Sequence, residues 1–205
     1  LTLLAKLLTY IFQPLLMPTL VFYTMLFRLS NATNLTETGR WRVLGLIFTT
    51  TCLIPILTMI MFKLTRVIKD LHMNDRKDRY VPFLFVTLFY VVVSFLIGRL
   101  EWMNDLMKIS FLAMTVVVVI TNGITFKWKI SAHAAGVAGW LGFICAYSQL
   151  FPTTNTLYYP IIIALILNGL VYWARLYLNA HKATEIWAGA FLGFSICYGS
   201  ISLFL

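Results

Sequence analysis

The chain has 205 residues, of which 60% are hydrophobic and only 11% charged. That composition excludes an ordinary soluble domain and points to a multi-pass membrane protein embedded in the lipid bilayer, an all-α bundle of about seven transmembrane spans, with six as the alternative count. The formal net charge of +9 would suit nucleic acid in a soluble protein, but here the basic residues stand between apolar runs, where they meet lipid headgroups or phosphate, and no nucleic-acid partner is expected.

Residues 1–27 form the first apolar run. Pro14 and Pro18 are expected to kink it, which a span tolerates because neighbouring groups satisfy the freed carbonyls. No small-residue cleavage site follows, so the run reads as a span rather than a cleaved signal. The polar loop 28–41 carries Asn31-Ala32-Thr33 and Asn34-Leu35-Thr36. Both fit the N-glycosylation acceptor pattern, which is too frequent by chance to carry weight. Residues 42–66 form the second run, and Val67 to Tyr80, reading VIKDLHMNDRKDRY, is the most charged stretch of the chain.

A third run covers 81–100, with Pro82 expected in its first turn, where a missing N–H costs nothing. A connector with Glu101, Asn104 and Asp105 leads to a valine-rich fourth run over 109–126, whose length fits a span better than a buried strand. The stretch Phe126 to Gly136, FKWKISAHAAG, opens a fifth span ending near Leu150; a sixth covers 159–177, and a seventh ends at Leu205. Trp102, Trp128, Trp173 and Trp187 lie near span ends, as interfacial tryptophans do. Cys52, Cys145 and Cys197 all fall inside apolar runs and have no metal-ligand or disulfide spacing. With no repeat and no boundary, residues 1–205 read as a single membrane domain.

Between the last two spans lies Ala174 to Gly189, ARLYLNAHKATEIWAG. Ionisable groups at such a junction are costly, which makes them functional candidates. If the last span starts helical near His181, then His181 and Glu185 stand one turn apart on one face. A carboxylate there can hold the proton-bearing nitrogen of an imidazole and leave the other nitrogen free to attack.

Two further stretches share this character. Lys129-Ile130-Ser131-Ala132-His133 opens the fifth span, with Ser131 suited to cap the helix and its free N–H groups suited to phosphate oxygens. Lys69, Arg76 and Arg79 lie in the charged loop, a point charge and two forked donors that both suit phosphate.

In their order and spacing these three stretches resemble the motifs of the type-2 phosphatidic acid phosphatase family. The third motif of that family, Ser-Arg, five residues, His, three residues, Asp, is matched by Ala174-Arg175, His181 and Glu185, and its Ala-Gly tail by Ala188-Gly189. The second, Pro-Ser-Gly-His, is matched at Ser131 and His133, with Ile130 for proline and Ala132 for glycine. The first, Lys, six residues, Arg-Pro, is matched by Lys69 and Arg76, with Lys77 in place of proline; Arg79, three residues before Pro82, is the alternative register. The resemblance covers Lys69 to Gly189, so the motif-bearing core is about 69–205 and the first two spans lie outside it.

The resemblance implies a phosphatidic acid phosphatase/haloperoxidase-like helical core in a bacterial cytoplasmic membrane. It implies a phosphatase acting on a membrane lipid phosphate or pyrophosphate without cofactor or metal. His181 would be the nucleophile, Glu185 its orienting partner and His133 the general acid. Arg175, Ser131, Arg76 or Arg79, and Lys69 would hold the phosphoryl oxygens. The same site would serve a phosphotransferase, and an inactive lipid-binding or transport relative would keep its outline. The few carboxylates near the motifs are too scattered for a metal cage.

Topology carries its own expectation. Two apolar runs separate the first motif from the second, and two more separate the second from the third, which places all three on one side of the membrane. Basic residues are more numerous on that side, yet balance across the membrane once the candidate phosphate ligands are set aside, so the positive-inside rule does not choose the side. Gly136, Gly139 and Gly142 in the fifth span, and Gly189 and Gly193 in the seventh, predict that these two helices pack closely and bring His133 toward His181. Asn122 and Asn168, mid-span, are expected to bond between helices rather than to ligands.

Overall fold

The computed structural model describes residues 1–29, 33–68, 77–152 and 157–204, with the side chains of 77–79 outside the description. The described residues form helices and no strand: α1 (Thr2–Ile11), α2 (Met17–Arg28), α3 (Glu37–Phe48), α4 (Ile54–Leu64), α5 (Lys77–Gly98), α6 (Asp105–Thr125), α7 (Ala132–Leu150), α8 (Tyr158–Tyr177) and α9 (Ala183–Phe204). Among the described residues six segments are long and apolar enough to cross a membrane: Thr2–Arg28, Glu37–Leu64, Tyr80–Gly98, α6, α8 and α9. This is a multi-pass integral membrane bundle. The seventh helix, α7, has 19 residues. Its alanines, glycines and polar ends lower its hydropathy, and most of its residues are buried inside the bundle, where no apolar face toward lipid is required.

The first two spans are each made of two helices, and proline is the reason in both. At Pro14–Leu16 a short 3-10 turn separates α1 from α2, as the prolines of this run predict. Between α3 and α4 the hydrogen-bond ladder widens into a π turn over Thr49–Leu53. Pro55 has no N–H for the Thr51 carbonyl; the Tyr90 hydroxyl from α5 donates to that oxygen instead, at 3.4 Å.

Three boundaries differ from the sequence reading. The second run starts earlier, at Glu37 within the polar loop, because Thr36 Oγ1 accepts the Gly39 N–H at 3.2 Å and caps α3. Because α5 starts at Lys77, Pro82 lies inside the helix rather than in its first turn and costs one ladder bond. The fourth run starts earlier, at Asp105, because the Asn104 side chain accepts the Met107 N–H at 3.0 Å and caps the helix.

The most extensive interface in the molecule joins α7 to α9. A Cβ on Gly189 would collide with the Ser131 carbonyl oxygen, and one on Gly193 with that of Ala135. One on Gly142 would stand 2.7 Å from the Phe194 carbonyl oxygen. The two backbones therefore touch, as the glycine pattern predicts. Around this pair sit α2, α6 and α8, with α1 against α8 and α5 against α6.

Buried polar groups stitch the ring together. Trp140 Nε1 donates to Thr24 Oγ1 at 3.1 Å, and Ser110 Oγ lies 2.7 Å from Tyr147 Oη. Asn122 donates to Thr87 Oγ1 at 2.8 Å, and Asn168 to the Val137 carbonyl at 3.1 Å. Both asparagines thus bond between helices, as expected.

Candidate active site

The site begins with the way α8 ends. Asn179 adopts the left-handed conformation, φ 50°, which asparagine tolerates better than most residues because its short polar side chain bonds locally. The Ala180 N–H then donates to the Arg175 carbonyl at 3.1 Å and the Asn179 N–H to that of Leu176 at 2.9 Å. This is the Schellman pair of bonds, which satisfies the last carbonyls and reverses the chain. The six-residue spacing from Arg175 to His181 is the length of that reversal, so both residues stand at the same end of the bundle.

The next helix starts at once. Glu185, in the first turn of α9, accepts the Lys182 N–H at 3.1 Å, the reach-back half of a capping box. The same oxygen, Oε2, lies 2.9 Å from His181 Nδ1. His181 Nδ1 also faces the Lys129 carbonyl oxygen at 3.2 Å. Both partners only accept, so Nδ1 carries the proton and Nε2 holds the lone pair. Nε2 makes no hydrogen bond to the described residues. Glu185 therefore does two jobs with one carboxylate, capping its helix and fixing the tautomer of His181.

Burial holds the His181 imidazole below its ordinary titration range; Arg175 and Lys129 push the same way, and the bond to Glu185 opposes them. The neutral ring is the favoured form at neutral pH.

The start of α7 is tied to the start of α9. Ser131 caps α7 by accepting the Ala134 N–H on its hydroxyl at 3.3 Å, and its own N–H donates to the Glu185 carbonyl at 3.1 Å. Ser131 is fully buried, and its hydroxyl hydrogen is the donor left for a ligand. Two long helices thus present their N-termini, and hence their positive dipole ends, at one place. Lys129 and Lys182 are exposed beside them.

Arg175 sits between the two imidazoles electrostatically, its charge acting on both His133 and His181. Its Nε is buried with no hydrogen-bond partner among the described residues. A guanidinium N–H left unpaired is costly, and an anion would satisfy it. His133, one residue into α7, places Nε2 3.3 Å from the Thr9 carbonyl oxygen of α1. A helix-start histidine resting on a carbonyl is also the structural reading of this residue, and the structure holds it in that arrangement.

The structure thus brings His133, Ser131, Arg175, His181 and Glu185 together. Lys69 and Arg76 lie outside the described residues, as does the side chain of Arg79. The start of α5 is at this end: the Tyr80 and Phe126 rings lie 5.2 Å apart, which sets it beside the segment that leads into Ser131. The helices between the first two motifs, α5 and α6, have 22 and 21 residues, the length of full spans rather than shallow dips.

Sequence reasoning missed α1. Thr9 and Gln13 both approach the site, although the first span lies outside the motif-bearing core. The signal was slight: two polar residues four apart in an otherwise apolar run.

No family model matches the chain, and neither does any curated protein or solved structure. The chemistry of the site therefore rests on its own geometry and on the motif resemblance.

Proposed function

We propose that the protein is a metal-independent phosphohydrolase acting on a membrane lipid phosphate or pyrophosphate. The observation that carries the reading is the His181–Glu185 pair at 2.9 Å, with His181 Nε2 and the buried Arg175 Nε both without a partner among the described residues. Two helix N-termini and Arg175 make the pocket attractive to a tetrahedral anion.

In this reading His181 Nε2 attacks phosphorus, and the bond to the leaving oxygen breaks as the phosphohistidine forms. Glu185 stabilises the positive charge that develops on the ring. A bound phosphate dianion would offset the burial and the Arg175 charge that keep the His133 ring neutral; the imidazolium so formed gives its proton to the leaving oxygen, and the neutral ring then takes one from the water that cleaves the P–N bond. Arg175 and the N–H groups of α7 and α9 neutralise the equatorial oxygens, the larger share of the catalysis in phosphoryl transfer.

The test is phosphate release by the purified protein in detergent with excess chelator. The substrates are phosphatidic acid, phosphatidylglycerol phosphate, a polyprenyl pyrophosphate and a phosphorylated glycolipid. Release from at least one, lost in both His181→Ala and His133→Ala, is the expected result. Release that survives His181→Ala, or that requires magnesium, overturns the reading.

One observation favours a second reading. The engagement of His133 with the Thr9 carbonyl suits a protein that binds a lipid phosphate without turning it over. In that case no substrate releases phosphate, and Arg175→Ala still weakens binding of a phospholipid.

A further inference from the structure

Behind His133 lies a cavity of about 390 Å³. Thr9, Gln13 and His133 are at one end of it. Its walls then turn apolar, with Val86 and Val118 at the next level, and it ends among Tyr90, Met114 and Phe143. His133 and Phe143 are ten residues apart on α7, so the cavity is ~15 Å deep at 1.5 Å per residue. That is about half the ~30 Å hydrocarbon thickness of a bilayer.

The cavity is amphiphilic along its length. At the polar end the Thr121 hydroxyl is buried without a partner among the described residues and faces the same space, a donor that an ester, ether or hydroxyl oxygen would engage. The cationic groups of the candidate active site stand just beyond. The deep end offers only the Tyr90 hydroxyl, already given to the Thr51 carbonyl at 3.4 Å, and the weakly polar Cys197 thiol. The volume is near the lower end of small-molecule sites, which span ~300–1,000 Å³, enough for one chain rather than two.

We infer that this cavity holds the single hydrocarbon chain of a phosphorylated amphiphile whose head group lies between His133 and His181, and that its floor sets the chain length accepted. The inference rests on the phosphohydrolase reading for the head group; the chain preference itself needs no turnover.

The probe is a series of n-alkylphosphonates, whose C–P bond resists hydrolysis, binding to the full chain in detergent micelles. A micelle offers the chain the same apolar surroundings as the cavity, so an optimum in chain length reports fit rather than hydrophobicity. Affinity is expected to hold until the chain reaches the floor at ~15 Å and then to fall about tenfold or more, as overpacking against that floor does. Val118→Phe, which blocks the middle, is expected to move the optimum to shorter chains. Met114→Ala, which deepens the floor, moves it to longer ones.

The same optimum in wild type, Val118→Phe and Met114→Ala overturns the inference, as does affinity that never falls with length. If Val118→Phe does not fold, the shift in Met114→Ala decides alone. Loss of phosphate release in His181→Ala with an unchanged chain optimum is expected. No phosphate release from any substrate, together with optima that move with the variants, upholds the cavity and removes the hydrolase.

Discussion

A single carboxylate carries much of the candidate site. Glu185 Oε2 takes a backbone N–H of its own helix at 3.1 Å and the His181 ring at 2.9 Å. Glu185→Gln separates these roles, because an amide oxygen still caps while the negative charge is lost. Phosphate release in that variant is expected to fall by about 10²–10⁴-fold in kcat with little change in KM, the range for losing acid–base support. A thermal scan of the same protein should move little.

The pH profile follows from the environment of His181. Burial and two nearby cations disfavour the imidazolium, so the folded ring takes its proton at lower pH than the ~6.5 of a free histidine. The ring is then neutral throughout the physiological range, and in the proposed reaction the acid limb of kcat/KM is expected below pH ~6.5. The same lowering means that folding stability contributed by this group is present above the unfolded value. It is lost as the pH falls, because the unfolded chain binds the proton first. Lys129→Met removes one of the opposing charges, so the acid limb should shift toward higher pH. A shift the other way would show that Lys129 acts through its position and not its charge.

At the scale of elements, close backbone contact decides what the helices tolerate. Gly193→Ala would drive a methyl into the Ala135 carbonyl, and is expected to cost about 1–3 kcal/mol, as overpacking does. Gly45→Ala, where nothing lies within 4 Å of the added carbon, should be neutral or stabilise by about 0.5–1 kcal/mol through helix propensity. Unfolding of the two variants in detergent by a denaturant series tests the contrast.

The turn after α8 is the second such element. Asn179→Val puts a β-branched residue at φ 50° and should cost about 1–2 kcal/mol, together with activity, since that turn carries His181 back toward Arg175. Asn179→Gly should keep both. The glycine pairing of α7 and α9 was legible beforehand because small residues recur at helical spacing on both. The Schellman turn was not: an asparagine in place of the usual glycine hides it among ordinary loop residues.

For the whole molecule, the end of the bundle shared by Ser131, His133, Arg175 and His181 is the main consequence. Lys129 and Lys182 are exposed at the end where His181 meets the Lys129 carbonyl, whereas Trp102 is exposed in the turn between α5 and α6 at the other. Cysteines placed at 129 and 182 should react with a membrane-impermeant thiol reagent from the same face of sealed vesicles, and one at 102 only from the opposite face. Labelling of 129 and 182 from different faces would separate the two imidazoles and end the case for a joint site.

Membrane character, the helical class, the Arg175–His181–Glu185 spacing and the α7–α9 contact were all determined by the amino-acid order itself. Each depends on local periodicity or on composition, which neighbours in sequence are enough to express. The tertiary structure alone decided that Thr9 of the first span lies against His133, that Arg175 Nε has no partner among the described residues, and that a largely apolar cavity opens behind the site. These depend on which distant segments come to share a volume. Packing in three dimensions sets that, and no motif along the chain records it.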